Sequence, residues 1–569
     1  CGFPTNLTSH RLLRIACRSC DRREDPLRQS ISQHRHHHLR PCHLVCSSDE
    51  GGFVITLLGR GARSTNFLEL HSPSLRLIML SMDPQGSLLA ASNPLTARPG
   101  DAGGAERLLT ELEQLLDKAK PPFKDIEALL SKLKVCGREP TTAGPIYTKR
   151  GITILCKCAF DQTDKKAADA SREALRCLAN AFLLNEGCRQ TFVNIGYASS
   201  AAERMKSDDR TDEFLISRTL FLLTYNTKVD FEELIQRKGL AMSINQQIAR
   251  HAKNFSTKAG RRKSDANPIH GMALIETLKL MFNITYYYPD QTKEFTPAIE
   301  PLISLVMNHP LPTSPLQPPI NYMLNALLNL DLASADKKTP MGPQPKTNPL
   351  FPYSAPESVA ERFCSIFYKA VTQMPEHQLD QAAAPLCTLI RRQYELASPQ
   401  TGEWMRCILL PRARDREKPL GVGETMAARL LRLSCAPGLP TLRDNISGLL
   451  FELSDKDANK FVKNIGYGFA AGFLMNNNIE IPSTAAEAGS IGSDDSSTSG
   501  VDFNPITGQR LSAEERDTAS RPSMSQEEKE REAERLFVLF ERLKATGVMK
   551  VKNPVEQAVT EGRFEELPD

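Results

Sequence analysis

Four apolar helical segments in this chain carry asparagine near their C-terminal ends at nearly regular intervals, and that recurrence constrains the fold more than any other feature. The segments are EALRCLANAF ending near Phe182, SRTLFLLTYNT ending at Thr227, ETLKLMFNITY ending at Tyr286 and YMLNALLNLDL ending at Leu332. Their asparagines are Asn180, Asn226, Asn283 and Asn329, separated by 46, 57 and 46 residues. A period of about 40 to 47 residues is that of armadillo and HEAT units, each of which buries its apolar face only by stacking on its neighbours. A fifth segment, ISGLLFELSD, puts Glu452 in the equivalent place after an interval long enough for two further units. The pattern therefore predicts an all-α chain: an armadillo/HEAT-like α-solenoid with long inserted loops.

Local patterns agree with this reading. In AERLLTELEQLLDKAK, Leu108, Leu109, Leu112, Leu115 and Leu116 share one helical face, with charges on the other. Pro121 and Pro122 stop that helix, and DIEALLSKLK begins the next with Asp125 as its expected N-cap. No stretch shows the alternation of a half-buried strand. The Pro-rich stretches MNHPLPTSPLQPPI and DKKTPMGPQPKTNPLFPYSAP read as surface loops between units. KAGRRKSD, residues 258–265, is a short basic loop, either solvated or a nuclear localisation signal. With 40% apolar and 24% charged residues, a large core can form and wholesale disorder is excluded. No apolar run approaches the 18 residues of a membrane-spanning helix.

Charge and cysteine divide the chain unevenly. Residues 1–81 hold eleven Arg, no Lys and six acids, a balance of +5, so the remaining residues sum to −1 of the overall +4. A polyanion-binding role for the whole chain loses its support. The same segment begins with Cys, carries seven of the eleven His and shows no sustained periodicity. Residues 1–100 accordingly read as a non-globular leader, disordered or a gene-model extension, with Met79 or Met82 as the true start. Cys17-x-x-Cys20 and Cys42-x-x-x-Cys46, beside the His34 to His38 cluster, have spacings able to hold zinc. They lack a Gly or Pro knuckle and any surrounding core, so a zinc centre is not favoured. An Arg-rich leader also has the composition of a mitochondrial transit peptide, but Asp21, Glu24 and Asp25 interrupt a basic face. The nine later cysteines, such as Cys177, lie in apolar patterns, as buried reduced thiols do. No P-loop, Rossmann glycine pattern, HExxH or GxSxG is present, and the later histidines at 251, 270, 309 and 377 are isolated. An enzyme with a convergent covalent site is excluded, and no cofactor or metal is expected.

Candidate binding residues follow from the repeat. In such a stack the third helix of each unit lines the concave face, where Asn can donate and accept at once and so hold the backbone of a peptide. Equally, an Asn near a helix C-terminus can simply cap it or bond a neighbouring loop. Tyr225, Phe282 and Tyr286 would add flat contact area of low entropy cost, although Phe282 alone reads as core. Within residues 402–433, Arg412, Arg414, Arg416 and Lys418 crowd a Pro-bounded helix end, followed by Arg429 and Arg432. Guanidinium groups so gathered suit a carboxylate partner through bidentate bonds. The alternative is internal pairing with Asp415, Glu417 and Glu424, at about 0 to 1 kcal/mol per surface pair. Residues 485–523 read as an acidic, Ser-rich flexible linker in which Ser493, Ser496 and Ser497 adjoin Asp494 and Asp495 as candidate phosphorylation sites. In the last segment, 524–569, Ser525 and Glu528 form a capping box for a helix with Ala533, Leu536, Phe537, Phe540 and Leu543 on one face, closed by Gly547. Such a helix docks on a partner or folds back on the solenoid.

Four blocks in order resemble one family: ILLPRARDREKPLGVGE, FVKNIGYGFAAGFLMNNNI (461–479), FNPITGQ (503–509) and MSQEEKEREAERLFVLFERL (524–543). They resemble the synembryn family, also called resistance to inhibitors of cholinesterase, from about residue 105 to the C-terminus. The resemblance implies an armadillo-like solenoid, here 101–484, that binds the α subunits of heterotrimeric G proteins (Gα). It implies a non-receptor guanine nucleotide exchange factor that is also a folding chaperone for newly made Gα and acts without covalent chemistry. By the same resemblance the groove takes the C-terminal helix of Gα, with the asparagines, Tyr225, Phe282, Tyr286 and the Arg412 to Arg432 cluster as segment-level candidates. The C-terminal segment would contact the nucleotide domain near its switch region, GTP with magnesium would displace the protein, and phosphorylation of the linker supports activity in related proteins. A cytoplasmic monomer recruited to the cell cortex or plasma membrane through Gα is expected. A generic armadillo adaptor without exchange activity is the alternative, but gives no reason for a capped tail helix.

Overall fold

The helix starts are written in the sequence by short polar residues whose side chains take up the first free N–H groups. Asp209 accepts from the Thr211 and Asp212 N–H groups, Asn267 from Ile269, Ser398 from Thr401, Thr425 from Ala428 and Asp457 from Lys460. Pro268 and Pro399 follow two of these caps in the first turn, where a missing N–H costs nothing. The computed structural model describes residues 102–138, 141–162, 164–257, 267–335, 348–480, 503–504, 506–520 and 525–545. The chain divides into two units, residues 1–72 and 73–569. The first, with both cysteine pairs and the histidine cluster of the zinc reading, lies outside the described residues, as do Met79, Met82 and the 258–265 loop.

The helices of the second unit are α1 Ala102–Leu116, α2 Phe123–Cys136, α3 Lys149–Phe160, α4 Ala168–Leu184, α5 Glu186–Asn194, α6 Ala198–Arg204 and α7 Arg210–Leu223. Then come α8 Phe231–Gln236, α9 Leu240–Phe255, α10 Pro268–Tyr287, α11 Ile299–Asn308, α12 Ile320–Leu328, α13 Ser358–Gln373 and α14 Glu376–Leu396. The last are α15 Pro399–Leu409, α16 Met426–Leu433, α17 Pro440–Leu453, α18 Ala458–Ile465, α19 Tyr467–Asn476, α20 Leu511–Ser520 and α21 Gln526–Ala545. Short 3₁₀ turns join several of them. Among the described residues there is no strand, only an isolated antiparallel bridge between Phe503 and Arg510.

One continuous row organises the unit: α2 packs on α4, α4 on α7, α7 on α10, α10 on α12, α12 on α14 and α14 on α17. Further helices flank this row, with α3 on α4, α9 on α10 and α11, and α13 on α14. Phe182, Phe192, Phe231, Phe295, Phe363, Phe367 and Phe461 are fully buried in the resulting core. α10 is apolar around most of its circumference because α7, α9 and α12 enclose it. The molecule is an all-α solenoid, and no described helix is long and apolar enough to cross a membrane.

Three details differ from the sequence reading. α2 begins at Phe123 behind Pro122, so Asp125 lies in the first turn, where its charge favours the helix N-terminus without capping it. Between α12 and α17 the row gains one member, α14, rather than two further units. The Pro-rich connection after residue 335 and the helices α13, α15 and α16 take up the rest of that interval. Finally, residues 503–520, inside the span read as linker, are built onto the solenoid. Six of the nine cysteines after residue 100 are buried free thiols, whereas Cys407 and Cys435 are exposed. Burial pushes the Cys364 and Cys387 thiols up to about 12, which makes them inert at neutral pH.

Candidate partner-binding face

The four recurring asparagines fall on or just past successive members of the packed row; two of them stitch it together and a third ties it to α5. Asn283, buried on α10, donates from Nδ2 to Thr224 Oγ1 at the end of α7, 2.8 Å away. Asn329, at the C-cap of α12, donates to the Phe282 carbonyl and to Thr285 Oγ1 on α10, each at 3.2 Å. Asn226, just past α7, has φ 54° in the left-handed region and donates to Glu186 at 3.4 Å. Each reaches back toward an earlier part of the stack, so this repeat is in large part a packing device. Asn180 is half-buried on α4, and its side-chain amide makes no hydrogen bond among the described residues, which leaves its donor and acceptor available.

Beside them lies an aromatic platform. Phe282 and Tyr286 stack with centroids 6.1 Å apart at 10°, and Tyr287 meets Tyr286 edge-on at 5.3 Å. Tyr286 is 38% exposed. Tyr225 is half-buried and edge-on to Phe221, while burial, with Tyr225 and Tyr286 nearby, pushes the Tyr287 phenol up to about 12. Burial and then Glu276 do the same to Tyr322. These phenols are neutral donors at physiological pH.

Next to the platform is a buried charge group that sequence reasoning missed. Glu276 takes Lys279 at 2.7 Å and lies 3.8 Å from Arg218, and the Lys279 ammonium stands 4.5 Å from the Phe221 ring centroid. Burial pulls the Lys279 pKa down against the Glu276 carboxylate. Glu276 Oε2 has no hydrogen-bond partner. The available signal was a Glu and a Lys three residues apart inside an otherwise apolar helix.

The arginine cluster does not face outward as a set. Arg416 is buried and donates to three carbonyls, Gly508 at 2.9 Å, Lys463 at 2.8 Å and Asn464 at 3.0 Å, with its guanidinium 4.6 Å from the Phe503 ring centroid. Arg412 donates to the Cys407 carbonyl and Arg432 to those of Gly421 and Gly423. Arg429 pairs with Glu424 and lies 5.6 Å from the Tyr368 ring centroid. The internal alternative thus accounts for most of the cluster: a single carboxylate partner cannot be shared by groups already committed to the chain's own carbonyls. Arg414 and Lys418 are exposed, and their side chains make no hydrogen bond or ion pair among the described residues.

What Arg416 holds is the FNPITGQ block. The Leu420 N–H donates to the Thr507 carbonyl at 3.0 Å, Gly468 N–H to Ile506 at 3.2 Å, and Arg510 N–H to the Arg416 carbonyl at 2.8 Å. Glu417 receives Arg510 at 3.2 Å and Arg516 at 2.9 Å. Gly508 has φ +66°, and a Cβ there would stand 2.4 Å from Leu420 Cδ1, so no other residue fits without a shift. In the tail, Ser525 and Glu528 make the expected capping box, at 3.0 and 3.3 Å. Leu536 and Phe537 on α21 remain 47% and 41% exposed. The side chain of Phe540 and the serines 493, 496 and 497 lie outside the described residues. So does Leu543's side chain. No group of three or more metal-ligating side chains occurs among the described residues.

The profile of a family described as guanine nucleotide exchange factor synembryn matches residues 129–563. The chain belongs to the synembryn family. Among curated proteins it is similar to a synembryn-like chaperone of Schizosaccharomyces pombe, 26% identical over 81% of this chain and 88% of the relative. It is also similar to Chaperone Ric-8A of Bos taurus, 23% identical over 77% and 84%, and to Chaperone Ric-8 of Drosophila pseudoobscura, 24% identical over 68% and 72%. Among solved structures, a designed armadillo repeat protein is matched at 11% identity and TM-score 0.28, over 61% of this chain and 99% of that one. At that score the likeness carries no argument. The synembryn assignment rests on the family match, and the solenoid on the helix row itself.

Proposed function

We propose that this protein is a non-receptor guanine nucleotide exchange factor for G-protein α subunits and a folding chaperone for them, working by binding alone. The observation that carries this reading is the family match across most of the chain, supported by the half-exposed Phe282 and Tyr286 stacked on α10 of the helix row. In this reading the row holds the C-terminal helix of Gα, while α21, with its half-exposed Leu536 and Phe537, reaches the nucleotide domain. If nucleotide-free Gα is bound more tightly than Gα·GDP, linkage requires that GDP be weakened by the same factor. GTP with magnesium then displaces the protein. The protein acts as a monomer in the cytoplasm and reaches the cell cortex through Gα.

The deciding experiment mixes the purified chain with GDP-loaded Gα and follows GDP release and GTPγS uptake. Accelerated release together with a stable complex of nucleotide-free Gα is the expected result. A complex without acceleration would instead make the protein an armadillo-type adaptor.

A further inference from the structure

We propose that residues 503–520 form a docked strap whose task is to set the point from which α21 departs, and that Arg416 is the positioning residue that pins it. The pin stands on geometry alone, while its consequence for nucleotide release rests on the proposed exchange function.

The pin is made to the backbone alone. A buried guanidinium commonly meets a carboxylate, yet all three acceptors of Arg416 are backbone carbonyls, two of them in the last turn of α18 and one in the strap. The negative end of the α18 dipole favours a cation there, and the third bond ties the strap to the same charge. The strap buries little apolar surface of its own: Ala513 is its only buried apolar side chain among the described residues. Its attachment therefore depends on the bonds from Arg416, Leu420, Gly468 and Glu417 rather than on a core. Removing one buried, multiply bonded charge should release it while the helix row stays folded.

Covalent geometry gives the release a consequence. With the strap docked, α21 is tethered to Ser520 by five residues, 521–525, a reach of at most about 22 Å from Ser520 to Gln526. With the strap free, the tether runs from Glu480 and has 45 residues, 481–525. Effective concentration falls roughly as the −3/2 power of tether length, so a ninefold longer tether lowers it about 27-fold. The strap makes α21 a short arm for a partner already held by the row.

The test uses the full chain in three variants. Arg416→Ala should raise amide hydrogen exchange at 503–516, Leu420 and Gly468 while leaving α7 and α10 unchanged, and should slow GDP release from Gα about 30-fold. Inserting 40 Gly/Ser residues between 520 and 525, with Arg416 intact, should slow release to a similar degree without changing hydrogen exchange in the strap. The two changes combined make a tether of about 85 residues and should slow release only about 2.6-fold beyond either alone. Unchanged protection at 503–516 in Arg416→Ala overturns the pin. Slow release in Arg416→Ala but normal release in the insertion variant overturns the tether role and leaves Arg416 as fold support. If the wild-type chain does not accelerate GDP release, the exchange reading fails, and hydrogen exchange by itself still decides whether Arg416 pins the strap.

Discussion

Asn283 and Tyr286 stand three residues apart on α10 but differ in burial, so substituting each separates packing from the proposed contact. Asn283 is buried and spends its amide on Thr224, so Asn283→Ala should lower stability by about 1 to 2 kcal/mol, read as a lower melting temperature, with little change in Gα capture by the folded protein. Tyr286 is partly exposed and stacked on Phe282, so Tyr286→Ala should leave the melting temperature nearly unchanged and weaken capture of nucleotide-free Gα about 10-fold or more. The reverse pattern in melting and pull-down assays would move the contact surface away from the platform. Asp212 carries a pH prediction. Burial pushes its carboxyl up, but the hydrogen bond from Arg172 and the charges of Arg204 and Arg172 hold it below its usual range. Its folded value is therefore lower than its unfolded one, and the stabilisation is complete above about pH 5 and lost as pH falls through the carboxylate range. Asp212→Asn should cost about 1 to 3 kcal/mol at neutral pH and flatten the acid limb of stability against pH below about 4, measured by denaturant unfolding.

At the scale of the element, the solenoid solves the problem of unsatisfied helix C-termini with arginine. Arg189 donates to the Phe182 carbonyl at the end of α4, Arg204 to Ala159 at the end of α3, and Arg362 to Val306 and His309 at the end of α11. Arg392 donates to Leu328 and Leu330 at the end of α12. Orphan carbonyls and the negative end of the dipole both favour a cation at such positions. Burial pulls the Arg189, Arg362 and Arg392 guanidiniums down, yet they stay charged at any physiological pH. Arg392→Met keeps the aliphatic stem and removes two charge-assisted bonds, and should cost about 2 to 4 kcal/mol by denaturant unfolding, with hydrogen exchange rising first near residues 328–330. An unchanged midpoint would mean that water replaces the guanidinium without loss. These clamps also mark where sequence stops being informative. The helix row was legible because 3.6-residue apolar periodicity and a 46-residue recurrence are both local statements. The partners of Arg392 and Arg416 were not, because a backbone carbonyl has no sequence signature and those contacts span 62 and 92 residues. For the same reason the 412–432 cluster read as a carboxylate site although most of its members serve the chain itself. FNPITGQ read as part of a linker because its glycine, proline and asparagine fit a flexible segment as well as a tightly turned one.

For the whole molecule, the proposed function divides labour between the row and the tail. From residue 82 onward the chain is almost neutral, at −1, so long-range steering contributes little and specificity has to come from contact geometry. A stacked row is an extended, nearest-neighbour structure in which one end can change without melting the other. Loss of α21 should therefore leave the platform on α10 intact. Exchange, in contrast, depends on how much more tightly the protein binds nucleotide-free Gα than Gα·GDP, and each tenfold of that difference is about 1.4 kcal/mol of coupling. If α21 contacts only the opened nucleotide domain, it supplies coupling without adding to capture of the Gα C-terminus. Deleting residues 524–569 should then reduce GDP release more than tenfold while affinity for an isolated Gα C-terminal peptide stays within about twofold, compared by nucleotide-release kinetics and peptide titration. Equal losses in the two assays would place α21 on the same surface as the row and remove the reason for a separate arm.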